Sequence, residues 1–150
     1  MGRLLSLDLG QKRIGMAVSD ELQITVRPLA PLSRTNWKQL LRAIRGALES
    51  FDARALVLGL PLGLDGSEGD AAREARRIAR NFQLSLRVPV YLQDEKLTTQ
   101  AAEASLRAEG YDGLRLLERL DSEAAAIILR DFIAGLERAA PGTHNPAEIE

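Results

Sequence analysis

Apolar positions along the chain change period several times, and each change marks an element. Residues 3–9 hold Leu4, Leu5, Leu7 and Leu9 with no polar face left over, which predicts a strand buried on both sides and ended by Gly10. The segment "QKRIGMAVSD" reads as a second strand through Ile14, Met16 and Val18, and "LQITVRPL" as a third, closed by Pro28. Connections this short predict hairpins, so the chain opens with antiparallel strands.

From residue 35 the period becomes helical. Trp37, Leu40, Leu41, Ile44, Leu48 and Phe51 recur on one face of a helix spanning Thr35 to Phe51, with Thr35 or Asn36 as cap. "ALVLGLPL" predicts a fourth strand, followed by the glycine-rich loop "GLDGSEG" and a helix whose buried stripe is Ala71, Ala75, Ile78, Ala79 and Phe82. "VPVYL" predicts a fifth strand. "TTQAAEASLRAEG" follows as a helix capped by Thr98 or Thr99 and stopped by Gly110, and a last helix runs from about Asp121 to Glu137.

The order β-β-β-α-β-α-β-α-α predicts an α/β fold: a five-stranded mixed sheet, three antiparallel strands then parallel βα units, with helices on both faces. Ligand sites in such sheets gather at the carboxyl ends of the parallel strands. At 150 residues the chain is one domain's length, expected over 1–138, with 139–150 as a flexible tail.

Composition narrows the chemistry. There is no cysteine, which excludes disulfides, thiolate metal sites and a cysteine nucleophile, and the one histidine, His144, sits in the tail "PGTHNPAEIE". Oxygen ligands remain. The formal net charge of −1 gives no global basic field, so contact with nucleic acid must be local. The amino terminus lacks a signal-peptide pattern and no run approaches the ~20 apolar residues of a membrane span, so a cytoplasmic location without membrane contact is expected.

Three carboxylates conflict with their surroundings. Asp8 lies in the most apolar strand, on the face of Leu4 and Ser6; a metal ion would stabilise it there, as would backbone donors in the turn at Gly10. Asp121 continues the stripe of Ala125, Ile128, Phe132 and Leu136 one turn earlier, or else caps the last helix. Glu95 follows the fifth strand between Asp94 and Lys96, where a solvated loop is the plain alternative. In this topology the ends of strands one and five and the start of the last helix meet at one sheet edge. Three such acids are hard ligands suited to Mg2+ or Mn2+, and two ions there would activate water and stabilise the departing oxygen of a phosphodiester.

With "LDLGQKRIGMAVSD", "LVLGLPLGLDGSEG", "DEKLTTQAA" and "LDSEAAAIIL" in order along nearly the whole chain, the sequence resembles the YqgF/RuvX family, bacterial relatives of the RuvC Holliday-junction resolvases. That resemblance implies a ribonuclease H-like fold, with Asp8, Glu95 and Asp121 as catalytic and metal-binding acids. It implies a nuclease of the 5′ end of precursor 16S rRNA, or else a branched-DNA resolvase, active as monomer or homodimer. Lys96 stands where arginine is common in the family and Gln11 where a small or charged residue is usual, which bears on substrate contacts.

Around this site Lys12, Arg13 and Lys96 are candidate phosphate contacts, with solvated surface charge as the alternative. The loop from Gly63 to Gly69 is either a cover over substrate or a connector. Arg73, Arg76, Arg77 and Arg80 read most simply as a solvated helix face. Two readings of other classes stand beside the nuclease. One is an actin-like phosphate-binding ATPase, for which the chain has room for only one of the two domains needed; the other is a non-catalytic RNA-binding assembly factor.

Overall fold

The structure, a computed structural model, describes residues 1–95, 103, 104 and 106–138. Its elements are β1 (Arg3–Leu9), β2 (Arg13–Ser19), β3 (Val26–Ser33), α1 (Trp37–Ser50), β4 (Ala53–Pro61), α2 (Asp70–Ser85), β5 (Val90–Glu95) and α3 (Gly113–Arg138). The sheet order is β3-β2-β1-β4-β5, with β1 antiparallel to β2, β2 antiparallel to β3, and β4 parallel to both β1 and β5. The mixed five-stranded sheet is therefore as expected.

Alternation along the strands sorts side chains to two layers. Leu5 and Leu7 of β1, Leu56, Leu58 and Leu60 of β4, and Val90 and Leu92 of β5 pack with Leu40, Ile44 and Leu48 of α1 and Ala75, Ile78 and Phe82 of α2. On the opposite face Leu4, Ala55 and Val57 pack with Ala125, Ile128, Leu129 and Phe132 of α3. Ser6, also on that face and fully buried, donates from Oγ to the Ala125 carbonyl at 2.7 Å and so ties β1 to α3. Asn36 caps α1 by accepting from the Gln39 amide at 2.9 Å.

Several boundaries differ from expectation, each for a physical reason. The third strand is Val26–Ser33 and runs through Pro28 and Pro31, because β3 is an edge strand whose outer side owes no hydrogen bonds. Residues 20–25 form the turn instead: the Asp20 carboxylate accepts from the Ile24 and Thr25 amides, and Gln23 takes φ 58°. In α2 Ala71 faces the open cavity at the strand ends and is exposed, and Ala72 takes its place in the buried stripe. β5 is Val90–Glu95, which makes Glu95 the last residue of the strand, opposite Pro61, and not a loop residue after it.

The largest shift is in the last helix. It starts at Gly113, so position 121 is helical and lies in the third turn, which removes the reading of Asp121 as an N-cap. Before it, residues 103, 104 and 106–108 are helical and Gly110 ends that segment at φ 97°, as expected of a glycine stop. Thr98, Thr99, Lys96, His144 and the tail 139–150 lie outside the described residues. Among the described residues no helix is long and apolar enough to cross a membrane.

The α1–α2 layer depends on Phe82, fully buried with its ring 4.8 Å from that of Trp37. Phe82→Ala is expected to lower unfolding free energy by about 3–5 kcal/mol, read from denaturant midpoints.

Candidate functional site

β1 and β5 are not neighbours: β4 lies between them. With strands about 4.8 Å apart, their backbones are separated by roughly 10 Å. Asp8 points to the α3 face with Leu4 and Ser6, Glu95 to the same face with Tyr91, and the β4 residue between them on that face is Gly59. A Cβ at Gly59 would lie 2.5 Å from Glu95 Oε2 and 2.6 Å from Ile128 Cδ1. The missing side chain is what lets the long arm of Glu95 lie back over β4 and reach Asp8.

The two carboxyl groups hydrogen-bond, and the consequence is electrostatic. Burial first, then the charge of Asp8 and the hydrogen bond with it, push the Glu95 carboxyl up to about 9. At neutral pH in the metal-free protein the pair therefore shares a proton, as two acids in contact must.

A cavity of about 750 Å3 opens on this pair at the carboxyl ends of β1 and β4. Its wall includes Gln11, Arg34, Asp70, Ala71 and Glu74 beside Asp8, Gly59 and Glu95. Arg34 donates to the Gly10 carbonyl at 2.8 Å and pairs with Glu74, clamping the first hairpin to α2. The glycine-rich loop beside it is a closed turn: the Gly63 amide donates to Ser67 O at 2.8 Å, the Gly66 amide to Gly63 O at 2.9 Å, and Arg76 holds Glu68 with two bonds of 2.7 Å.

Of the residues singled out from the sequence, Asp8 and Glu95 come together. α3 carries Asp121 one turn before Ala125, the residue whose carbonyl takes the Ser6 hydroxyl. The Asp121 side chain lies outside the described residues, and among the described residues no group of three acids forms. Lys12 is exposed at the hairpin tip and Arg13 is half-buried at the start of β2; neither lines the cavity. Arg34 and Gly59 were missed. Gly59 had a signal, since a glycine inside a strand pattern marks close approach of another group. Arg34, one arginine among many before a helix cap, had none.

Two outcomes test this geometry. Gly59→Ala drives a methyl group into Glu95 and Ile128 and is expected to cost about 1–3 kcal/mol in a urea melt. The raised Glu95 carboxyl makes the folded state bind the extra proton between its ordinary value of 4.5 and about 9, so metal-free stability falls as pH rises across that window. The slope is at most about 1.4 kcal/mol per pH unit, and Glu95→Gln is expected to flatten it in melts taken from pH 5 to 9.

Comparisons with known proteins agree with this placement of the chain. The sequence model of the RuvX family, described as Holliday junction resolvase, matches residues 2–135. The "Putative pre-16S rRNA nuclease" of Anaeromyxobacter sp. (strain Fw109-5) is 42% identical over 133 residues, 89% of this chain and 97% of that protein. The protein of the same name from Syntrophus aciditrophicus (strain SB) is 35% identical over 136 residues, 91% of each chain. Among solved structures, T. thermophilus RuvC in complex with Holliday junction substrate aligns with a TM-score of 0.55 at 17% identity, covering 94% of this chain and 99% of that one. A second structure of Thermus thermophilus RuvC gives 0.53 at 16% identity, with 93% and 99% covered. At such identities the likeness is one of fold, and the fold is ribonuclease H-like. The chain belongs to the RuvX family.

Proposed function

We propose that this protein is a nuclease that hydrolyses phosphodiester bonds at the Asp8–Glu95 corner, with the 5′ end of precursor 16S rRNA as its substrate. The observation that carries the reading is the contact of two carboxyl groups over Gly59, at the strand ends where sites of such sheets lie. A buried pair of acids raises its own proton affinity, and the same excess of negative oxygen suits a hard divalent cation. Asp8 and Glu95 fit Mg2+ or Mn2+, with Asp121 as the third ligand. Two such ions, when bound, would supply a water of lowered pKa and charge stabilisation for the departing oxygen.

The chain's own groups do the rest. Asp8 and Glu95 keep the corner negative, and Gly59 leaves room for both. Arg34, fixed by Gly10 and Glu74, holds the hairpin and α2 at a constant distance across the cavity mouth. Lys12, Arg13 and Lys96 are the phosphate contacts nearest the acids in sequence. The family's description as Holliday junction resolvase supports a second reading, in which the same corner cuts branched DNA.

Asp8→Asn is expected to lower cleavage of a precursor-rRNA 5′ leader by about a thousandfold, several kcal/mol of lost transition-state stabilisation, while circular dichroism shows the variant folded as wild type. Cleavage by that variant at the wild-type rate would overturn the nuclease mechanism. A junction substrate assayed beside the rRNA leader separates the two readings.

A further inference from the structure

Charge is distributed unequally between the two helical layers. Together α1 and α2 carry seven basic and three acidic side chains, in a chain whose net charge is −1. On the other face of the sheet α3 carries four basic and five acidic ones. The positive charge of the first layer is also ordered: Lys38, Arg42 and Arg45 on α1, and Arg73, Arg77 and Arg80 on α2, each fall at i, i+4 and i+7. That spacing keeps a row within about 60° of the helix circumference and makes it about 10 Å long.

The two rows form one surface. α1 and α2 run side by side in the same direction, away from the cavity end. The Arg34–Glu74 pair joins them at the start, the Trp37–Phe82 ring contact lies between, and Arg45 Nη2 donates to Ser85 O at 2.8 Å at the far end. Both helices bury their opposite faces, and all six basic residues are exposed. Arg73 and Arg77 are matched by Asp70 and Glu74. Among the described residues Lys38, Arg42 and Arg80 have no carboxylate partner, although Glu49 at the end of the α1 row and Asp70 and Glu74 on α2 stand on the same layer. An acid-rich cavity at one end and unmatched cations along the outer face give a surface suited to an extended polyanion.

We propose that the outer face of α1 and α2 binds the phosphate backbone of the nucleic acid beyond the bond being cut, with Lys38, Arg42 and Arg80 as its principal contacts. This rests on the nuclease reading and names the track by which the substrate leaves that site. Contacts of this kind position a strand without reading its sequence, and their number sets how steeply binding falls with salt.

The test is binding of a fluorescent RNA duplex of about 20 base pairs, in EDTA so that cleavage plays no part, by wild type and by the triple variant Lys38→Gln, Arg42→Gln, Arg80→Gln. The variant is expected to melt as wild type does, to bind at least about tenfold more weakly near 0.1 M salt, and to show a slope of log K against log salt shallower by about two to three. With Mn2+ restored, KM for a long substrate should rise with kcat unchanged. Equal affinity and equal slope in wild type and variant would overturn the surface and leave the nuclease reading standing; that reading fails separately if wild type cuts neither rRNA leader nor junction. Loss of binding to anionic phospholipid vesicles with duplex binding intact would also overturn the proposal, assigning the face to a membrane.

Discussion

Two carboxyl groups from strands that do not touch each other meet over the one residue that has no side chain to keep them apart. The rest of the molecule can be understood as what makes that meeting possible. Adjacent strands would bring acids together without special provision, but β4 separates β1 from β5, and only a long arm on one side and an empty position in the middle bridge the gap. Glutamate on β5 and glycine on β4 are a matched pair in this sense. The core beneath them, Leu56, Leu58 and Leu60 on the reverse face of β4, keeps that strand flat against α1 and α2 so that the corner stays where it is.

Burial gives the corner its chemistry and its cost. Two acids in contact there raise each other's appetite for a proton, or for any cation of matching hardness. α3 closes the same face with Ile128 and Ala125, and the Ser6 hydroxyl bonded to the Ala125 carbonyl fixes the depth at which the helix lies. The turn of α3 that carries Asp121 is thereby set by a contact made four residues later, inside the core.

Most of the sheet was legible because periodicity reports burial directly. β1 has the bounds its leucines imply, and Asn36 caps α1 as its side chain allows. What local pattern could not report was distance along the chain. Asp121 beside Ser122 has the composition of a cap, yet α3 begins two turns earlier at Gly113, because the leucines of residues 114–120 extend the helix and a cap signal does not outweigh a continuing run. Ala71 fits its stripe by angle but is exposed, since the cavity at the strand ends opens beside it. Asp8 and Glu95 were each singled out as misfits. That they share a proton depends on Gly59, which no spacing between two acids 87 residues apart in sequence contains.

The edge strand β3 has a bearing on how this chain behaves before it is folded. Between Leu29 and Leu32 it takes three steps where β2 takes two between Met16 and Ile14, and Pro28 and Pro31 flank or occupy that extra length. A proline offers no amide hydrogen, so a foreign strand arriving at this margin finds donors missing at two places and a kink between them. β5, the opposite margin, has no such interruption. The prolines of β3 thus blunt one margin of the sheet against growth by backbone chemistry alone, before any side chain of a partner is considered.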